Sequence, residues 1–92
     1  MEYKLVFTHN YTRRAAKFIK KHPELLEQYR KTLELLEINP FHPSLRLHKL
    51  KGHLGDLHSV SINISYRITL ELLIDNRRII PVYVGSHDEV YW

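Results

Sequence analysis

Tyr66-Arg67-Ile68-Thr69-Leu70-Glu71-Leu72-Leu73-Ile74, then Asp75-Asn76, then Arg77-Arg78-Ile79-Ile80-Pro81-Val82-Tyr83-Val84 is the stretch on which the fold turns. Side chains of an extended chain point alternately to opposite faces. Tyr66, Ile68, Leu70, Leu72 and Ile74 therefore share one side, and Arg67, Thr69, Glu71 and Leu73 the other. Asp75-Asn76 suits a tight hairpin, so residues 66–74 and 77–84 read as an antiparallel pair. Pro81 cannot donate to a ladder, which predicts an unpaired edge or a bulge in the last strand. Residues 57–64 make a further strand in which Leu57, Ser59, Ser61 and Asn63 oppose His58, Val60, Ile62 and Ile64.

Upstream of this block the period changes. Residues 2–7 alternate and read as a first strand. From about Asn10 to Lys21, the residues Tyr11, Ala15, Phe18 and Ile19 fall at helical spacing. Pro23 suits the first turn of a second helix, where a missing N–H costs nothing, and Glu24 and Glu27 suit the positive end of its dipole. Leu25, Tyr29, Leu33 and Leu36 form its apolar stripe, and Asn39-Pro40 ends it. Residues 39–56, with Pro40, Pro43, Gly52 and Gly55, read as an ordered loop. The order is β-α-α-β-β-β: an α+β fold, a single domain over residues 1–92, with a small twisted, mostly antiparallel sheet and a two-helix hairpin on one face. The other face can then display Arg67 and Thr69, with Ser59 and Ser61 beside them.

Composition narrows the chemistry. The chain has 92 residues and no cysteine, which removes thiol chemistry and Cys-containing metal sites. No apolar run nears the roughly 18 residues that span a bilayer, and Met1-Glu2-Tyr3-Lys4 is not a signal peptide, so a soluble, cytoplasmic protein without a membrane partner is expected. Fourteen Lys and Arg against ten Asp and Glu give a net charge of +4. Arg13, Arg14, Lys17, Lys20 and Lys21 cluster without an acid between them, as do Arg46, Lys49 and Lys51. Such clusters favour a polyanion, since each neutralised phosphate releases counterions.

Of the seven histidines, His9, His22, His42 and His53 have ordinary surface or capping explanations. No pair has metal-ligand spacing backed by carboxylates, so no metal and no cofactor are expected. His48, His58, Arg67, His87 and Tyr91 differ in kind. Cutting RNA without a metal needs a base for the 2′-OH, an acid for the leaving oxygen and a cation where charge grows on phosphorus. Imidazoles and a guanidinium supply those parts. The ending Gly85-Ser86-His87-Asp88-Glu89-Val90-Tyr91-Trp92 sets an imidazole beside aromatic rings able to stack on a base.

The segments His48-Lys49-Leu50-Lys51-Gly52, Leu54-Gly55, Ser59, Ile62, Tyr66-Arg67-Ile68 and Gly85-Ser86-His87-Asp88-Glu89-Val90-Tyr91, together with the element order, resemble the RelE/ParE toxin superfamily. They are most similar to its RelE-like branch of YafQ-type messenger-RNA interferases. The resemblance implies a toxin of a type II toxin–antitoxin pair that enters the ribosomal A site and cuts the messenger there, inhibiting translation, until a cognate antitoxin neutralises it. By position, it makes His87 an acid/base, Tyr91 the aromatic on the message, His48 the loop histidine before the second strand, and Arg67 the arginine at the scissile phosphate. Lys17, Lys20, Lys21, Arg46, Lys49 and Lys51 would hold ribosomal RNA. Family nucleases carry a further titratable group along the second strand, where this chain has Val60-Ser61 and Ser65. His58 reaches the polar face only with a one-residue register change. Two other readings share the fold: a ParE-like inhibitor of DNA gyrase, and a catalytically lapsed homologue kept as an antitoxin partner in a toxin–antitoxin–operator DNA complex.

Overall fold

A computed structural model of the protein describes residues 2–52 and 55–86. Strand β1 (Lys4–Leu5) leads into helix α1 (His9–Lys21), whose first turn is capped by Thr8 Oγ1 accepting from the Tyr11 amide at 3.1 Å. Pro23 opens a 3₁₀ turn, Pro23–Leu25, that passes directly into α2 (Leu26–Ile38). A second 3₁₀ turn, Pro43–Leu45, is followed by β2 (His48–Lys49), then β3 (His58–Ser61), β4 (Tyr66–Leu73) and β5 (Arg78–Ser86). The sheet order is β1-β5-β4-β3-β2, with β1 parallel to β5 and every other pair antiparallel. The expected α+β architecture, helical hairpin and mostly antiparallel sheet are all present.

Three local expectations are corrected. Residues 39–56 are not loop throughout, because His48 and Lys49 pair with Ser59 and His58 and add an edge strand. The strand read at residues 57–64 ends at Ser61. There Asn63 Oδ1 accepts from the amides of Ser65 and Tyr66 at 2.8 and 2.9 Å, a side-chain turn that competes with the ladder. The hairpin turn spans residues 74–77 rather than Asp75-Asn76 alone. Arg77 takes φ 51° and its amide bonds the Ile74 carbonyl, the longer connection in which a left-handed residue restores the strand twist. Pro81 stands opposite Leu70, and the register shifts between Thr69 and Leu70, so the bulge it predicted is there.

The core forms where helix stripes meet the apolar sheet face. Tyr11, Phe18, Leu25, Tyr29 and Leu36 pack with Val60, Ile68, Leu70, Ile79 and Val84. Tyr11 and Tyr29 join hydroxyls at 2.7 Å across the hairpin, and burial pushes both phenols above their usual range, so each stays protonated. Removing one hydroxyl strands the other. Tyr11→Phe is expected to cost about 1–2 kcal/mol in urea unfolding. The Tyr11→Phe/Tyr29→Phe double variant should cost less than the sum of the singles; strict additivity would contradict the pair.

Candidate functional site

Cross-strand register decides which side chains meet. Residues directly opposite in an antiparallel pair point to the same face. His48 pairs with Ser59, Ser59 with Thr69, and Thr69 with Tyr83. That is one row running the width of the sheet on the side away from the helices. The next row is Ser61, Arg67 and Gly85. The residue opposite Arg67 is a buried glycine, which adds no side chain of its own to the row. His48 and Arg67 are two strands and one row apart, which at 4.8 Å per strand and 3.3 Å per residue is roughly 12 Å between backbones. Both side chains are long enough to reach into that interval.

The centre of this face is buried and its edge is exposed. Ser59 is 0% and Thr69 1% exposed, while Ser61 and Arg67 are half-buried and His48 is exposed at the rim. The sequence expectation of Ser59 and Thr69 displayed to solvent is therefore corrected: both side chains are buried. His48 Nδ1 lies 3.1 Å from the Arg46 carbonyl, held there because Arg46 turns the chain with φ 50°. A carbonyl only accepts, so Nδ1 carries the hydrogen and the neutral ring keeps its lone pair on Nε2.

His58 goes elsewhere. It pairs with Leu70 and Lys49, which puts it on the helix-side face, and no register slip brings it round to His48 and Arg67. It lies on the other face from His48 and Arg67, where the buried Val60 and Ile68 hold the register. Its Nδ1 is buried and has no hydrogen-bond partner among the described residues. Burial, then the nearby charges of Lys49 and His48, hold the His58 imidazole below its ordinary range. His87 and Tyr91 lie outside the described residues, as does His53.

The two basic clusters stand at opposite sides of the sheet. Arg13, Arg14, Lys17 and Lys20 line a cavity of about 570 Å³ along α1. Lys17 and Lys21, with Arg14, also border a groove against β5. Arg46, Lys49 and Lys51 are exposed around β2. The polar rows lie between, so the clusters flank these rows and do not merge. Tyr83, 40% exposed with the Arg14 guanidinium 4.0 Å above its ring, was missed from the sequence as a site residue. The available signal was its place in the alternation, opposite Thr69. Among the described residues no three His, Asp or Glu side chains cluster as metal ligands, and no helix is long and apolar enough to cross a membrane.

This arrangement is the RelE-like toxin fold. Escherichia coli YafQ superposes with a TM-score of 0.78 over 99% of this chain and 100% of its own, at 11% identity. YafQ in the DinJ–YafQ toxin–antitoxin complex gives 0.77 over 100% of both chains at 13% identity. A YoeB/ParE toxin from Agrobacterium tumefaciens gives 0.67 over 91% and 98%, at 18% identity. No protein-family model matches the chain, and no curated protein sequence matches it.

His58 sets a pH dependence. Unfolded, it takes up a proton near the ordinary histidine value of about 6.5; folded, it does so only at lower pH. The unfolded chain therefore binds more protons in that window. The contribution of His58 to stability is complete above about 6.5 and is lost as pH falls from there towards the folded value. Urea midpoints measured across this range should fall with pH, and His58→Gln should flatten the slope. An identical slope in the variant would contradict this assignment.

Proposed function

We propose that this chain is a member of the RelE/ParE superfamily: the toxin of a type II toxin–antitoxin pair, and a metal-independent endoribonuclease that cuts messenger RNA at the ribosome and so inhibits translation. The observation that carries the reading is the register that sets His48 and Arg67 on one polar face between two basic clusters, in a fold shared with YafQ. In the proposed reaction His48 Nε2 takes the proton of a ribose 2′-OH. The 2′ oxygen attacks phosphorus, the P–O5′ bond breaks, and the departing oxygen takes a proton from His87. The products are a 2′,3′-cyclic phosphate and a 5′-hydroxyl end. Arg67, with its planar fork, holds the phosphate oxygens as charge builds on them. Tyr91 stacks on the message, and Lys17, Lys20, Lys21, Arg46, Lys49 and Lys51 bind RNA.

A cognate antitoxin is the proposed regulatory partner. DinJ–YafQ is itself a toxin–antitoxin complex. Acidic side chains of such a partner would meet Arg67 and the lysines, and the half-buried Leu73 would supply apolar area. A toxin–antitoxin–operator DNA complex is the corresponding larger assembly. One observation favours the lapsed-homologue reading instead: the β3 side chains between His48 and Arg67 are Ser59 and Ser61, which do not titrate. The ParE-like reading predicts inhibition of gyrase supercoiling by the purified chain.

Induced expression without antitoxin should arrest growth and leave ribosome-positioned cuts in transcripts. His48→Ala and His87→Ala should each slow cutting by about 10²–10⁴-fold. Arg67→Lys should also lose activity, because an ammonium does not reproduce the fork. A His87→Ala chain as toxic as the wild type would remove the mechanism.

A further inference from the structure

The groove between α1 and the outer edge of β5 has no part in the reaction above. β1 pairs with β5 only at Arg78 and Ile79, so the later half of β5 has α1, not a strand, beside it. The resulting groove has a volume of about 460 Å³. Arg14, Lys17 and Lys21 supply three cations along it. Its inner wall is aromatic: Phe18 and His22 have ring centres 5.1 Å apart, and His22 lies 4.9 Å from Tyr66. One carboxylate, Glu24, stands 3.6 Å from His22 Nδ1. At the mouth the Arg14 guanidinium covers one part of the Tyr83 ring and leaves the remainder exposed.

Cations spaced along a channel with a flat π surface at its mouth match single-stranded nucleic acid, whose bases stack while its phosphates seek positive charge. Tyr83 also closes the row that begins at His48, so the groove and the polar rows share this residue. We infer that the α1–β5 groove is a nucleotide subsite for the RNA strand, in which a base stacks on the Arg14–Tyr83 pair and Lys17 and Lys21 hold the flanking phosphates. This rests on the proposal that the chain acts on RNA, and it names where the strand runs beyond the bond that is cut.

The test is fluorescence anisotropy of the full chain with a labelled single-stranded RNA of about ten 2′-O-methyl nucleotides, which cannot be cleaved. Tyr83→Ala should weaken binding about tenfold with an unchanged salt dependence, and Tyr83→Phe should bind as the wild type does. Lys17→Ala/Lys21→Ala should lower the slope of log affinity against log salt by about 1.4, as two lost phosphate contacts require. A strand with one abasic position placed to face Tyr83 should bind the wild type as weakly as the intact strand binds Tyr83→Ala, and Tyr83→Ala should not distinguish the two strands. Equal loss from the abasic position in both proteins would overturn the subsite. So would a poly-glutamate peptide that displaces the RNA and binds equally well to Tyr83→Ala, since the groove would then serve an acidic polypeptide. Binding that follows these expectations in a chain that cuts no message would leave the subsite standing and remove the nuclease; cutting that persists with binding indifferent to Tyr83 would do the reverse.

Discussion

Val60, Ile68, Leu70, Ile79 and Val84 must all face the helical hairpin, and that demand governs everything on the opposite side of the sheet. Strand side chains alternate strictly, so a slip of one residue would carry the whole apolar set into water and lose on the order of 1.5–3 kcal/mol for each large side chain involved. The same demand carries His48, Ser59, Thr69, Tyr83, Ser61 and Arg67 to the far face without any requirement of their own. Core packing thus acts as the positioning device for the polar rows. It also excludes His58, whose neighbours in the ladder face the helices.

Charge is distributed to match. α1 turns Tyr11 and Phe18 inward and its cations outward, while the turn into β2 holds Arg46 at the other side of the sheet. Roughly 14 Å separate β5 from β2, so in the proposed function a single strand of RNA would meet one cluster, cross the polar rows and meet the other. Among the described residues the polar rows hold no acid; Glu71 is exposed further along β4. Arg30 and Glu27 satisfy each other on the surface of α2, away from the sheet.

Much of this was legible in the residues. The period-two pattern of residues 66–84 specified the hairpin, the face assignment of Arg67 and the disturbance at Pro81, because alternation and a missing donor act locally. Helical spacing located both helices for the same reason. What escaped depended on contacts distant in sequence. His48-Lys49 carries no strand pattern and becomes one only by pairing with β3. The end of β3 at Ser61 depends on an Asn63 side chain choosing two amides. The Arg14–Tyr83 contact joins residues far apart in the chain, and neither alone marks a groove. The side taken by His58 was legible from the alternation, which set it with Val60 and Ile62, and the ladder keeps that register.

In the proposed function, one face of the sheet, and not the helix side, receives the ribose–phosphate junction. Amide chemical shifts recorded while a short RNA with a deoxyribose at the reactive position is added report on this residue by residue. Shifts along His48, Ser59, Thr69 and Arg67, with Val60 and Ile68 moving only as their neighbours in the ladder do, are the predicted result. Shifts centred on His58 and the helix-side edge, with the polar rows unchanged at saturation, would contradict it.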